Sequence, residues 1–138
     1  MRKKGEKAVI VLYDDQKQVL LQDRFGISHD KTQEWGFFGG GIEVDETPEQ
    51  ALVREIQEEL VVHITKFELL MTFKHFRDEE TYNDVYLFIG PLGDSLKDAK
   101  LQEGRSMKLC PYTELKHLKL GRTDKDIAGT IEQYLQKK

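Results

Sequence analysis

Polar and apolar positions divide this chain into segments of two different periods. Lys7–Tyr13 (KAVIVLY) is a β-branched apolar run closed by Asp14-Asp15, and Gln18–Gln22 (QVLLQ) follows it, which predicts a hairpin. Polar 23–34, with Gly26, Ser28 and Asp30, reads as a loop. The aromatic, glycine-rich Trp35–Ile42 reads as a short strand breaking into a tight turn. Thr47-Pro48 opens the clearest helix, because Thr47 can cap it and Pro48 suits its first position, and it should run to about Leu60. Lys66–His75 and Thr81–Ile89 read as longer strands joined by a charged turn, Arg77–Glu80. Residues 90–104 then read as a loop, Arg105–Cys110 as a short strand and Pro111–Leu118 as a short helix. Thr123–Gln136 is a second long helix, with Ile127, Ile131, Tyr134 and Leu135 on one side. Phe73, Phe76, Tyr82, Tyr86 and Phe88 alternate as residues filling a sheet face do. Strands mixed with helices predict an α/β sandwich around a mixed sheet.

On a wheel of roughly 100° per residue, Leu52, Val53, Ile56 and Leu60 share one arc, the width of a core-facing stripe. Glu55, Glu58 and Glu59 share another, because offsets of three and four return to one side. Three carboxylates so close repel one another, and Arg54, four residues before Glu58, relieves only part of that repulsion. A hard divalent cation would relieve the rest, since Mg²⁺ prefers oxygen ligands together with substrate phosphates. A glutamate-rich surface helix is the plainer alternative, and the upstream spacing argues against it.

Residues 40–62 read GGIEVDETPEQALVREIQEELVV. Gly40 is followed six residues later by Glu46, eight later by Arg54-Glu55, then by the apolar Ile56 and by Glu58-Glu59. A chance match to those positions is on the order of one in a million per start point at ordinary residue frequencies. The spacing resembles the Nudix box, G-x5-E-x7-R-E-U-x-E-E-x-G-U with U aliphatic, and departs from it at Val61, where the family has glycine. A glycine there would serve as a left-handed helix cap, so the departure bears on the helix ending rather than on metal. A second departure is Phe38, where relatives often carry proline before the paired glycines.

The resemblance implies a Nudix-like α/β/α sandwich and a Mg²⁺-dependent hydrolase (Mn²⁺ as a possible substitute) acting on a nucleoside diphosphate linked to another moiety. It implies Glu58 and Glu59 as metal ligands, Glu55 as ligand or base, and the Gly39 carbonyl as a further ligand beside Gly40. Arg54 would orient the array, with Glu46 as its partner. Glu103, in LQEGRSM, is the first candidate for a further carboxylate, with Glu79 and Glu80 as alternatives. Arg24 could meet a phosphate and Trp35 could stack on a base, although a core position suits Trp35 as well. A (deoxy)nucleoside triphosphate is the preferred substrate, with ADP-ribose or a nucleotide sugar as the alternative. A non-catalytic nucleotide sensor and an acidic protein-binding helix are the readings from other classes.

Composition narrows the field a little further. At 138 residues the chain suits one domain spanning 1–138. A net charge of −4 argues against a nucleic-acid partner, and the basic ends, Arg2-Lys3-Lys4 and Lys137-Lys138, read as solvated termini. No apolar run reaches the roughly 20 residues of a membrane span, and the N-terminus lacks a signal peptide's apolar core, so a cytoplasmic protein is expected, as monomer or homodimer. Cys110 is the single cysteine, which excludes an intrachain disulfide and reads as a small strand-end residue. His29, His63, His75 and His117 lack zinc-like spacing and read as surface or strand residues.

Overall fold

Strand β1 (Arg2–Tyr13) is the spine of the molecule, and its apolar run is continuous because it is covered on both faces. Val9 and Val11 point into one apolar cluster, while Ala8, Ile10 and Leu12 point into another. The computed structural model describes residues 1–23, 34–93 and 107–138.

Around β1 lie β2 (Gln18–Asp23), β3 (Trp35–Gly36), β4 (Phe38–Gly41), β5 (Glu68–Phe76), β6 (Thr81–Pro91) and β7 (Met107–Pro111). The seven strands form one sheet in the order β3-β2-β1-β6-β5, with β4 paired to β1 and β7 to β2. Among the described strands only the β1–β6 pairing is parallel, so the sheet is mixed, as expected. Helix α1 (Pro48–Leu60) covers one face and α2 (Arg122–Gln136) the other, giving the α/β/α sandwich. Among the described residues, no helix is long and apolar enough to cross a membrane.

Helix α1 begins as its sequence dictates. The Thr47 hydroxyl accepts from the Gln50 amide at 3.1 Å, and the Gln50 side chain accepts from the Thr47 amide at 2.9 Å, a reciprocal cap worth about 1 kcal/mol. Leu52, Ile56 and Leu60 are fully buried, each contributing roughly 1.5–3 kcal/mol. Val53, at the margin of that arc, is half-buried, and Ala51 takes a core position instead.

Several sequence expectations need correction. The β1–β2 hairpin is paired only near its turn, at Tyr13 and Val19, because Lys7–Ile10 of the same edge pairs with β4. Residues 38–41 therefore form an extended strand rather than a tight turn. The basic N-terminus keeps its side chains exposed, but its backbone is sheet, with Arg2 opposite Thr81 and Lys3 opposite Tyr82. Gly90 and Pro91 belong to β6 rather than to a loop, while 94–104 lie outside the described residues. The aromatic set divides between the two faces: Phe73 packs in the α2-side cluster, Phe88 and Tyr86 in the α1-side cluster, and Phe76 is half-exposed. Cys110 is buried in β7, and burial pushes its thiol above the usual range.

Candidate active site

Two glycines of β4 stand where a side chain has no room, Gly39 against β1 and Gly40 beneath α1. Gly39 has φ +143°, and a Cβ on it would collide with the backbone of Ala8 and Val9. A Cβ on Gly40 would lie 2.5 Å from the Cδ of Glu55. The bare strand thus seats a carboxylate from α1 directly on the sheet.

Arg54 organises the acidic face of α1. Its Nε donates to Glu46 Oε2 at 2.8 Å and its Nη2 to Glu46 Oε1 at 2.9 Å, a fork matched to a carboxylate. Nη2 also donates to the Gly41 carbonyl at 2.9 Å, and Nη1 to Glu55 Oε1 at 3.0 Å and Glu58 Oε1 at 3.5 Å. The paired guanidinium, with a backbone donor from Glu43, holds the Glu46 carboxyl down at about 2, and Glu46 in turn raises Arg54 above its ordinary range. Glu59 is fixed separately: its Oε1 accepts from the Gly39 amide at 3.1 Å and its Oε2 from Gln22 Nε2 at 2.8 Å. Gln22 Nε2 donates also to the Phe37 carbonyl at 3.1 Å, so one buried side chain spans β2, β4's lead-in and α1.

The three helix carboxylates stand side by side without closing a cage. Glu55 is 18% exposed and Glu58 59%, and among the described residues no three acidic, His or Cys side chains converge as a ready metal site. The donor set is nonetheless all oxygen and lies beside a backbone strand. That suits Mg²⁺, which takes one or two carboxylates, keeps several waters and completes its shell with phosphate.

A cleft of roughly 670 Å³ opens on the other side of β4, between the sheet and the first turn of α2. Lys7, Arg77, Lys119, Arg122 and Lys125 line it against two acids, Glu34 and Asp124, and Gly39–Gly41 form one wall. Arg122 Nη2 ties its far rim together by donating to the Arg77 carbonyl at 3.1 Å. His75 and Asn83, both nearly buried, line it from β5 and β6.

Of the residues singled out in the sequence, Gly39, Gly40, Glu46, Arg54, Glu55, Glu58 and Glu59 come together. Arg24 and Glu103 lie outside the described residues. Glu79 and Glu80 are exposed on the β5–β6 turn, where the Glu80 carbonyl accepts from the Arg2 amide. Trp35 does not line the cleft: its ring packs against the α2-side cluster beneath Lys108, whose Nζ lies 4.3 Å from the centroid. Phe37, two residues on and in phase with it, reaches the cleft instead. His75, Asn83, Asp124 and the α2 cations were missed. The available signal was polarity at core phase, since Asn83 shares the phase of buried Val85, Leu87 and Ile89.

Comparison with known proteins bears on the same residues. A family model described as NUDIX domain matches residues 3–132. Over 74 residues the chain is 42% identical to an 8-oxo-dGTP diphosphatase of Proteus vulgaris, covering 54% of this chain and 65% of that protein. Over 115 residues it is 32% identical to an RNA pyrophosphohydrolase of Acinetobacter baylyi, covering 83% of this chain and 63% of the relative. The chain thus spans less than two thirds of the length of these curated relatives. Its fold is shared by the E. coli ORF135 protein, with a TM-score of 0.80 at 23% identity over 99% of this chain and 92% of that one.

Proposed function

Because the chain belongs to the NUDIX domain family, we propose that it hydrolyses the pyrophosphate linkage of a nucleoside diphosphate derivative, with a (deoxy)nucleoside triphosphate preferred. The observation that carries this is the double use of one strand. On one side of β4 stand Glu55 and Glu59; on the other a cation-lined cleft opens. A polyphosphate drawn into that cleft by its lysines and arginines would rest on the glycine strand, whose far side carries Glu55 and Glu59. The relative named for 8-oxo-dGTP acts on a triphosphate, which supports the preferred substrate class.

Family members generally use divalent cations, and here Mg²⁺ is proposed, held by Glu58, Glu59, the Gly39 carbonyl and Glu55. When bound, it would neutralise phosphate charge and ease ionisation of the attacking water. The chain's own groups do the rest. Arg54, anchored by Glu46, fixes the Glu55 carboxylate at 3.0 Å, leaving Glu55 poised to take a proton from water. Gln22 and the Gly39 amide fix Glu59, so its geometry does not depend on the ion.

The test is a phosphate-release screen of nucleoside triphosphates, ADP-ribose and nucleotide sugars with Mg²⁺ or Mn²⁺, run on wild type, Glu58→Gln and Glu59→Gln. Turnover in the wild type and its near-loss in both variants supports the reading. Full activity in both variants refutes it.

A further inference from the structure

The far rim of the cleft is tied to the sheet at two places one helical turn apart. Arg122 opens α2, and its Nη2 donates to the Arg77 carbonyl at 3.1 Å and to the Phe76 carbonyl at 3.5 Å. Four residues later Asp126 meets His75, with Oδ2 and Nδ1 2.8 Å apart. Residues four apart share a helix face, so both ties run from one side of α2 to the end of β5 and the residue after it. His75 is 8% exposed, so the second tie is anchored in a nearly buried side chain. The start of α2 is thus held in place by the protein's own groups.

Five cations line the cleft, and they are not equivalent. Lys7 and Lys119 already interact with other groups of the protein. Arg77 and Lys125 make no side-chain hydrogen bond or ion pair among the described residues, so placing either head group on a ligand means ordering a long, free side chain. Arg122 differs from both sets. Its Nη2 is anchored, while Nε and Nη1 carry N–H donors with no partner among the described residues. Its two acceptors are neutral carbonyls, and no carboxylate among the described residues pairs with it. The contrast is Arg54, whose charge Glu46 compensates. Arg122 therefore offers an oxyanion a full charge and spare donors on a guanidinium whose freedom is already restricted.

We propose that Arg122 is the preset anion receptor of the cleft, a substrate-contacting residue that takes phosphate oxygen on its unpartnered N–H groups. This deepens the reading above and rests on it for the cleft as the side that polyphosphate enters. The test needs neither turnover nor a base. Calorimetry with inorganic tripolyphosphate, without divalent metal and at constant ionic strength, would compare wild type, Arg122→Met, Arg122→Lys and Lys125→Met. Loss of one charge-assisted contact should weaken binding about tenfold in Arg122→Met. Arg122→Lys keeps the charge without the anchored fork and should lose about threefold. Lys125→Met, which removes an untethered surface charge, should lose less than about twofold. If Arg122 only tied α2 to β5, charge would not matter, and its Lys and Met variants would bind alike. The proposal is overturned if the wild type binds no tripolyphosphate, or if Arg122→Met binds as tightly as wild type. It is overturned equally if the two Arg122 variants are alike, or if Lys125→Met loses as much as Arg122→Met. Binding through Arg122 with no nucleotide hydrolysed would refute the hydrolase reading alone. Hydrolysis by a protein whose tripolyphosphate affinity ignores Arg122 would refute this inference alone.

Discussion

Arg54 holds Glu46 through two hydrogen bonds, Nε to Oε2 at 2.8 Å and Nη2 to Oε1 at 2.9 Å. The same guanidinium reaches Glu55 and the Gly41 carbonyl, so the fork joins the loop after β4, the strand itself and the acidic helix. Arg54→Lys keeps the charge and loses the fork. Its kcat should fall on the order of 10- to 100-fold with little change in KM, as for other partners that orient ligands. Steady-state kinetics with a triphosphate at saturating Mg²⁺ checks this.

The pair also has a pH signature. Glu46 is held at about 2 in the folded protein, chiefly by its hydrogen bonds from Arg54 and the Glu43 amide. A carboxyl of ordinary value, about 4.3 in the unfolded chain, is ionised above that pH in both states. The stabilisation from the depressed value is therefore complete above about pH 5 and is lost as pH falls through 4 toward 2. Thermal melts across pH 2–6 should show a shallower acid slope for Glu46→Gln than for wild type, and the same slope in both would contradict the coupling.

Gly39 and Gly40 differ in what a methyl group would strike, so their alanine variants should fail differently. At Gly39 the obstacle is the β1 backbone, and φ is +143°. Gly39→Ala should lose about 3 kcal/mol or more. At Gly40 the obstacle is the end of the Glu55 side chain, which can swing away. Gly40→Ala should melt near wild type yet lose on the order of 10²-fold in kcat, through misplacement of Glu55. Chemical denaturation measured beside kinetics separates the two outcomes.

The box was legible because its spacing is helical: one stretch of sequence specifies both the core stripe of Leu52, Ile56 and Leu60 and the acidic face opposite. Its pairing with the rest of the fold was much less so. Nothing local says that Lys7–Ile10 prefers β4 to β2, since both would satisfy the same backbone groups. The cleft was illegible for a related reason. Asn83, His75 and Arg122 come from three separated segments, and a lone polar residue in an apolar strand gives no spacing to match. Trp35 and Phe37 share a phase, so sequence alone could not say which reaches the cleft.

Val61, where the family has glycine, ends α1 at φ 57° and ψ 41° with its amide donating to the Gln57 carbonyl. The left-handed cap is therefore formed, by a β-branched residue that disfavours it. Val61 is 56% exposed and contributes little packing. Val61→Gly should stabilise the fold by about 1 kcal/mol, a rise in Tm of roughly 3–5 °C, with kcat unchanged. A lower Tm would show that its contacts outweigh the strain.

Glu58 is the exposed member of the acidic face, 3.5 Å from the Arg54 guanidinium and far from the core, so it can be changed without disturbing the fold. If Mg²⁺ binds there, it stabilises the folded state by mass action, about 1.4 kcal/mol at ten times its dissociation constant. That corresponds to a rise in Tm of roughly 3–5 °C for a domain of this size. Glu58→Gln removes one charge from the face and should melt near the wild type without metal, with most of the Mg²⁺-induced rise gone. Melts with Mg²⁺ and with matched Na⁺ ionic strength distinguish a bound ion from general screening, and an equal rise in both proteins would place the ion elsewhere.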